Sequence, residues 1–372
     1  MKKRVALLGA TGSIGKSTLD VIRAGCDDFE LVLISGHTNA ASLSALSGEF
    51  KNAKTVLSGS GDGREKLLAA ISGIKADITV NGISGAAGLE PSFAAINSGS
   101  DLALANKETV VMAGPLLFRT AAEKKVKILP VDSEHSGVFH LIAAHGDANI
   151  DEIILTASGG PFRKFTIDQM RKVTPREALA HPTWNMGPKI TIDSASLANK
   201  GLEVIEAAQL FNVSAEKIRV VVHPQSVVHS MVRMKDGAVF AQLSEPDMRL
   251  PVHEALYWPE VKVSSWGKLD FDCLNLEFEK PDMEKFPMLP LAYEAVRRGG
   301  LNPCAYNGAN EIAAAAFLNS EIGFLDIPRI VEYVLTGDWE GHGEGIRTIL
   351  EADKKARDMA LAFIKKESEE KR

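Results

Sequence analysis

The chain has 372 residues, a length that ordinarily makes roughly two or three domains. With 45% of its residues hydrophobic, it can bury a sizeable core without disulfides or a structural metal. A formal net charge of -6 excludes the basic excess of a general nucleic-acid or anionic-membrane binder and leaves room only for a local basic pocket around a small anion.

The chain opens Met1-Lys2-Lys3-Arg4 and runs directly into an apolar segment. Val5 to Leu8 is too short for a signal sequence, and no stretch of about 18 apolar residues occurs, so no membrane span is expected and the cytoplasm is the expected location. Residues 4–8 read as a buried strand. A glycine turn follows, then a helix through about Arg23 with apolar Leu19, Val21 and Ile22. Phe29 to Ile34 is a second apolar run, and Ser58 to Gly63 is a loop. Ile78 to Val80, Leu102 to Leu104 and Val126 to Val131 are further short runs separated by helical patterns. Strands alternating with helices predict βαβ units and a doubly wound parallel sheet to about residue 130.

The texture then changes. Ile153 to Thr156 ends in Ala157-Ser158-Gly159-Gly160-Pro161. Thr174 to Pro188 reads as an exposed loop with Trp184 and Met186 at its tip. Val220 to Val222, Val227 to Val232 and Ala238 to Leu243 predict a second sheet. Asp270 to Pro290, with three prolines, reads as a linker. Leu291 to Arg298, Glu311 to Leu318, Ile327 to Leu335 and Ile346 to Ile364 have helical spacing, the last fraying from Lys365 onward. The fold class expected is therefore α/β for residues 1–131, with a Rossmann-like sheet. An α+β region at 132–268, a linker at 269–290 and a C-terminal helical bundle at 291–372 follow it. Cys26, Cys273 and Cys304 form no CxxC pair, so neither a disulfide framework nor a cysteine zinc site is expected.

Gly9-Ala10-Thr11-Gly12-Ser13-Ile14-Gly15 lies between the first strand and the first helix. A pyrophosphate needs backbone N–H groups at a helix N-terminus with no side chains in the way, and this GxxGxxG turn supplies them; Thr11 and Ser13 add hydroxyls. The bland alternative is a glycine turn with no ligand. The second strand ends Ile34-Ser35-Gly36-His37-Thr38-Asn39, without the acid that usually holds a ribose 2′-hydroxyl. That favours a 2′-phosphate, although no Lys or Arg is there to meet it.

Asp132 and Glu134 are two apart. In an extended segment both carboxylates face one side, where they repel and call for a hard cation, Mg²⁺ or Mn²⁺; a solvated strand end is the alternative. In the run from Asp193 to Glu203, Ser194 and Ser196 are N-cap types, Asn199 and Glu203 share a helical face, and Lys200 is out of place unless it meets an anion. This reads as a phosphate cradle or as ordinary capping beside a surface lysine. His181 to Gly187, a loop between proline and glycine with Trp184 within it, fits a lid or a loop docked on its own domain. The remaining histidines form no triad spacing, and no histidine metal site is expected.

Gly9 to Gly15, Ala105-Asn106-Lys107-Glu108, Pro130-Val131-Asp132-Ser133-Glu134-His135, Ser158-Gly159-Gly160-Pro161, His181 to Gly187, Asn199-Lys200-Gly201-Leu202-Glu203 and His223-Pro224-Gln225-Ser226-Val227-Val228-His229 occur together and in order. Taken together they resemble the 1-deoxy-D-xylulose 5-phosphate reductoisomerase family over essentially the whole chain. The resemblance implies rearrangement of that ketose phosphate and reduction to 2-C-methyl-D-erythritol 4-phosphate, with NADPH and one divalent ion, Mg²⁺, Mn²⁺ or Co²⁺. It implies Asp132, Glu134 and Glu203 as metal ligands. It implies Ser158, His181, Ser194, Asn199 and Lys200 around the substrate phosphate, Ser133 and Lys107 on substrate hydroxyls, and Trp184 closing over the substrate. It implies Thr11, Gly12, Ser13, Ile14, Gly36, Asn39, Asn106, Glu108 and Gly187 against the cofactor. It also implies a homodimer whose interface lies in residues 132–268. The chain departs from the family at His37-Thr38. Two competing readings are a metal-free sugar-phosphate dehydrogenase and a non-catalytic NADP-sensing module.

Overall fold

The structure is a computed structural model and describes residues 1–184, 186–341 and 343–370; Asn185 of the expected lid falls outside the described residues. The first 130 residues give β1 (Lys3–Leu8), α1 (Ser13–Ala24), β2 (Phe29–Gly36), α2 (Ala40–Glu49), β3 (Lys54–Leu57), α3 (Gly63–Gly73), β4 (Ile78–Asn81), α4 (Leu89–Asn97), β5 (Asp101–Leu104), α5 (Lys107–Lys124) and β6 (Ile128–Pro130). The six strands form one sheet in the order β3-β2-β1-β4-β5-β6, every neighbouring pair parallel. Leu7, Leu8, Leu33, Ile34, Val80, Leu102 and Ala103 are wholly buried, as strands covered by helices on both faces require.

The strand order reverses between β1 and β4, and the glycine turn sits at that switch point, where doubly wound sheets take their ligands. The glycines are there because space is lacking. Gly9 has φ +79°, and a Cβ on it would lie 2.7 Å from the Gly82 carbonyl oxygen at the end of β4. A Cβ on Gly15 would lie 2.4 Å from the Ala10 carbonyl oxygen.

The next segment gives α6 (Ser133–His145), β7 (Ile150–Ala157), α7 (Ile167–Met170), α8 (Pro175–Ala178), α9 (Pro188–Ala195), α10 (Ala198–Leu210), β8 (Ile218–Val222), β9 (Val228–Met234) and β10 (Val239–Leu243). A second sheet runs β10-β9-β7-β8, with β7 and β8 parallel and the other pairs antiparallel. Then come α11 (Arg249–Tyr257), α12 (Met288–Arg298), α13 (Asn302–Leu318), α14 (Asp326–Leu335) and α15 (Ile346–Glu370). Among the described residues no helix is long and apolar enough to cross a membrane.

The chain divides into two compact units. The first holds Met1–Thr109, Pro115–Ser136 and Asp247–Lys268; the second holds Val110–Gly114, Gly137–Pro246 and Leu269–Arg372. Residues 247–268 follow the second sheet in sequence yet pack in the first unit. There α11 lies against α1, β5 and β6, Tyr257 donates to Asp28 Oδ2 at 2.7 Å, and Lys3 Nζ donates to the Leu256 carbonyl at 2.6 Å. The sequence hides α11 because Pro251 reads as a breaker. In the first turn of a helix, however, the missing N–H has no partner to lose.

Three more differences have local causes. The strand β3 is an edge strand with only Val56 buried, so it carries little apolar signal. The helix α13 begins nine residues before the expected start at Glu311. Its first nine residues are all buried, which erases the apolar period, and Asn307, Gly308 and Asn310 are weak helix formers. The expected fraying at Lys365 is replaced by helix to Glu370, with Lys365–Glu369 and Lys366–Glu370 ion pairs at 4.0 and 3.8 Å.

The tightness of the first turn is testable. Gly15→Ala forces a methyl onto the Ala10 backbone and is expected to cost ~1–3 kcal/mol in urea unfolding, the usual range for overpacking. A loss within about 0.5 kcal/mol of zero would mean that the turn yields readily.

Candidate active site

In the first unit, Gly12 is the N-cap of α1 and has no side chain to fill the cap, so the first-turn N–H groups face outward beside Thr11, Ser13 and Ile14; Gly12 and Ser13 are exposed. Gly36 ends β2 and is buried, with the Thr11 methyl 3.3 Å from where a Cβ would stand. His37, Thr38 and Asn39 follow and are exposed. Asn39 caps α2, its Oδ1 accepting from the Ser42 N–H at 3.0 Å, and His37 Nδ1 lies 3.4 Å from Ser58 Oγ. The end of β2 thus offers hydroxyl, imidazole and amide groups and no carboxylate.

At the start of α5, Asn106 is 2% exposed and its amide is fully engaged. Its Nδ2 reaches the carbonyls of Ile83 and Gly85 at 2.7 and 2.9 Å and Glu108 Oε2 at 2.9 Å, while its Oδ1 caps the helix at the Thr109 N–H. Asn106 therefore fixes the 83–85 loop and Glu108 rather than presenting a free amide. Lys107, the first residue of α5, buries its ammonium against Asp132 Oδ2.

Asp132 and Glu134 do stand together, but not for the reason the spacing suggests. The strand β6 ends at Pro130, and Asp132 is the cap of α6, its Oδ1 accepting from the N–H groups of Glu134 and His135 at 3.0 and 3.1 Å. Glu134 lies in the first helical turn, where the helix dipole favours an acid, and Ser133 Oγ donates to its Oε2 at 2.7 Å. A cap and a first-turn residue, not two alternate strand positions, bring carboxylate oxygens of the pair within 4.8 Å.

In the second unit, Ser158 follows β7, and His181 and Ser194 come from the loop after α8 and from α9. His181 Nε2 lies 3.1 Å from Ser158 Oγ and 3.1 Å from Ser194 Oγ. Its Nδ1 accepts the backbone N–H groups of Thr183 and Trp184 at 3.1 and 2.9 Å. An Nδ1 that accepts carries no proton, so the neutral ring holds its proton on Nε2. Burial pushes the imidazole below its usual pKa and keeps it neutral. One N–H and two hydroxyls thus converge on one place. Gly160 makes the approach possible: its φ is +65°, and a Cβ on it would sit 2.8 Å from the Ser194 carbonyl oxygen.

Ser194, expected as a helix cap, is not one. It lies in the last turn of α9, and α10 starts after Leu197 in a left-handed conformation with no side-chain cap. On α10, Asn199 Nδ2 donates to Glu203 Oε1 at 2.6 Å and buried Lys200 pairs with Glu203 Oε2. The anion that Lys200 requires is therefore present in the same helix. Trp184 is half-buried with its ring 6.3 Å from that of His229, and Gly187 is the exposed N-cap of α9.

Family models match most of the chain. A 1-deoxy-D-xylulose 5-phosphate reductoisomerase model matches residues 5–62 and 52–114, and its C-terminal domain models match 128–211 and 243–359. The chain belongs to the 1-deoxy-D-xylulose 5-phosphate reductoisomerase family. The reductoisomerase of Chlorobium chlorochromatii is 49% identical over 97% of this chain and 100% of its own length; that of Treponema denticola is 47% identical over 98% and 97%. The Zymomonas mobilis reductoisomerase solved with NADPH superposes with a TM-score of 0.91, 40% identity and coverage of 98% and 99%. A reductoisomerase solved with NADPH, fosmidomycin and magnesium gives 0.90, 40%, 98% and 98%.

Asp193 stands out in the sequence only as part of a motif. In the structure it is 1% exposed and pairs with Lys189 Nζ at 2.7 Å and with Asn310 Nδ2 at 2.9 Å. The i,i+4 spacing of Lys189 and Asp193 is visible in the sequence; the contact with a residue 117 positions away is not.

The protonation state of His181 is open to measurement. Long-range ¹⁵N correlation at pH 7.5 is expected to show its Nε2–H form, with a titration midpoint below 6.5 that rises on adding inorganic phosphate. Because the folded pKa lies below the unfolded one, the stability linked to this ring is complete above about 6.5 and is lost as the pH falls below it. A midpoint at or above 6.5 in the free protein would rule out burial as the controlling effect.

Proposed function

We propose that this chain converts 1-deoxy-D-xylulose 5-phosphate and NADPH into 2-C-methyl-D-erythritol 4-phosphate, a metal-dependent rearrangement and reduction in non-mevalonate isoprenoid precursor synthesis. The observation that carries the reading is the Asp132–Glu134 pair in the same unit as the dinucleotide turn. Hydride transfer alone needs no hard-cation site, whereas two carboxylates side by side offer the hard oxygen donors that Mg²⁺ or Mn²⁺ takes. Membership of the family and the NADPH and magnesium named with its solved members support it.

The residues present fit both groups. Asp132, Glu134 and Glu203 are oxygen donors suited to Mg²⁺ or Mn²⁺, and the α1 turn suits a pyrophosphate. When bound, the divalent ion supplies Lewis acidity at the ketone and neighbouring hydroxyl oxygens, and NADPH supplies the hydride. The chain's own side chains do the rest. Ser158, His181 and Ser194, joined by Asn199 and Lys200, take the substrate phosphate, and binding at that remote group orients the reacting carbons. Ser133 and Lys107 hold substrate hydroxyls. Trp184 closes over the substrate and excludes water. Thr11, Gly12, Ser13, Ile14, Gly36 and Asn39 hold the nucleotide, with Glu108, positioned by Asn106, and Gly187 beside it. We further assign residues 1–131 to nucleotide binding, 132–268 to substrate, metal and a homodimer interface, and 291–372 to a supporting helical bundle, in a cytoplasmic enzyme.

The test is loss of NADPH absorbance on adding the ketose phosphate, with Mg²⁺ or Mn²⁺ and with EDTA. Turnover with metal and none with chelator is expected, with the branched polyol phosphate as product. Turnover indifferent to EDTA would point to a metal-free dehydrogenase. Glu203→Gln is expected to lower kcat at least about a hundredfold while NADPH still binds; full activity would remove Glu203 from the metal ligands.

A further inference from the structure

The helix α9 is only eight residues long, and it carries Ser194, one of the two hydroxyls on His181. Something must fix its roll, because a small rotation would take Ser194 Oγ off the imidazole. Buried Thr191, Ile192 and Ala195 pack one face, and Asp193 is the buried residue that adds a directional bond. Adjacent helical residues point about 100° apart, so a bond that anchors Asp193 also sets the direction of Ser194, about a quarter turn away. Its carboxylate is 1% exposed, and a buried carboxylate is tolerated only where donors meet it.

One of those donors comes from outside the helix. Asn310 Nδ2, on α13, lies 2.9 Å from Asp193 Oδ1, and Asn310 is wholly buried. It sits in an alanine-rich stretch, Ala309 to Ala316, where an amide would be disfavoured without such a partner. The other donor, Lys189, belongs to the first turn of α9 itself, so its pair with Asp193 at 2.7 Å lies within that helix. The turn that carries Ser158 rests in turn on α9, through the close approach of Gly160 to the Ser194 carbonyl. A chain of contacts therefore runs from α13 through Asp193 and α9 to both hydroxyls on His181.

We propose that Asn310 is a positioning residue for anion recognition: by holding Asp193 it fixes α9 so that Ser194, His181 and Ser158 present their donors together to the phosphate of a phosphorylated substrate. This rests on the reading of that cluster as the phosphate subsite.

The experiment compares Asn310→Leu with Asn307→Leu. Asn307 is an equally buried amide on the same helix, bonded to Glu311 at 3.1 Å rather than to Asp193. Inorganic phosphate binding is measured by calorimetry on the full chain without metal or NADPH, beside Tm and steady-state kinetics. Asn310→Leu is expected to raise the phosphate Kd and the KM for the ketose phosphate about tenfold, as loss of one hydrogen bond to a charged acceptor would, with kcat within about threefold. Asn307→Leu is expected to lower Tm comparably and leave both constants unchanged. Equal weakening by the two variants, or none by Asn310→Leu, would overturn the proposal. Should Asn310→Leu not fold, Asn310→Ser, whose hydroxyl is too short to reach Asp193, takes its place with the same expected rise in both constants. A wild-type protein that does not turn over the ketose phosphate, yet loses phosphate in Asn310→Leu, would sink the assigned activity and leave this inference standing.

Discussion

A carboxylate buried in protein must find positive charge or donors close by, and the candidate site is organised around that demand. Asp132 is met by Lys107, Glu203 by Lys200 and Asn199, and Asp193 by Lys189 and Asn310. Removing one partner of a buried ion pair leaves the other uncompensated, at a cost of roughly 3–5 kcal/mol. Pairs of this kind therefore hold each unit's own fold around these carboxylates. Asp132 and Glu134 also draw on a helix start: Asp132 caps α6 and Glu134 follows in its first turn, where backbone N–H groups help to solvate an acid.

The parallel sheet solves a different problem with the same economy of parts. A pyrophosphate needs bare N–H groups at a helix N-terminus, and the switch between β1 and β4 opens a crevice there. Closing the turn so tightly that β4 and the Ala10 carbonyl lie within contact distance leaves no room for a Cβ at Gly9 or Gly15. The next decision is made at the end of β2. With only the Oδ1 of Asn39 used in capping α2 and no acid in place, the edge is one that a phosphate can approach and a charged carboxylate does not block.

The first sheet is legible in the sequence because its strands are buried on both faces and read as unbroken apolar runs. Of the residues that the structure brings together, Asp132 and the His181 loop stand out in the sequence by themselves, and Ser158 and Lys107 only through the family resemblance. Geometry is less legible. The spacing of Asp132 and Glu134 points to a strand, whereas β6 has already ended at Pro130 and the chain turns into α6 at Ser133. Ser194 looks like a cap because serine before an apolar run usually is one; here a left-handed Leu197 starts α10 and frees Ser194 to face His181. The cover of α11 on the first unit and the early start of α13 are hidden by a first-turn proline and by burial on every side. In each case a tertiary contact, invisible in a window of a dozen residues, outweighs the local pattern.

The imidazole of His181 ties these levels together. Its Nδ1 accepts the N–H groups of Thr183 and Trp184, so the path of the loop that carries Trp184 determines which nitrogen is protonated. Its Nε2 faces two hydroxyls whose positions depend on β7 and α9. With the loop in place, the ring is neutral, holds its proton on Nε2 and adds an N–H donor to the two hydroxyls. With the loop displaced, Nδ1 loses both donors, either tautomer becomes accessible, and the Nε2–H is no longer enforced. Loop position and anion-donor count are therefore one property of the molecule, set by two backbone hydrogen bonds.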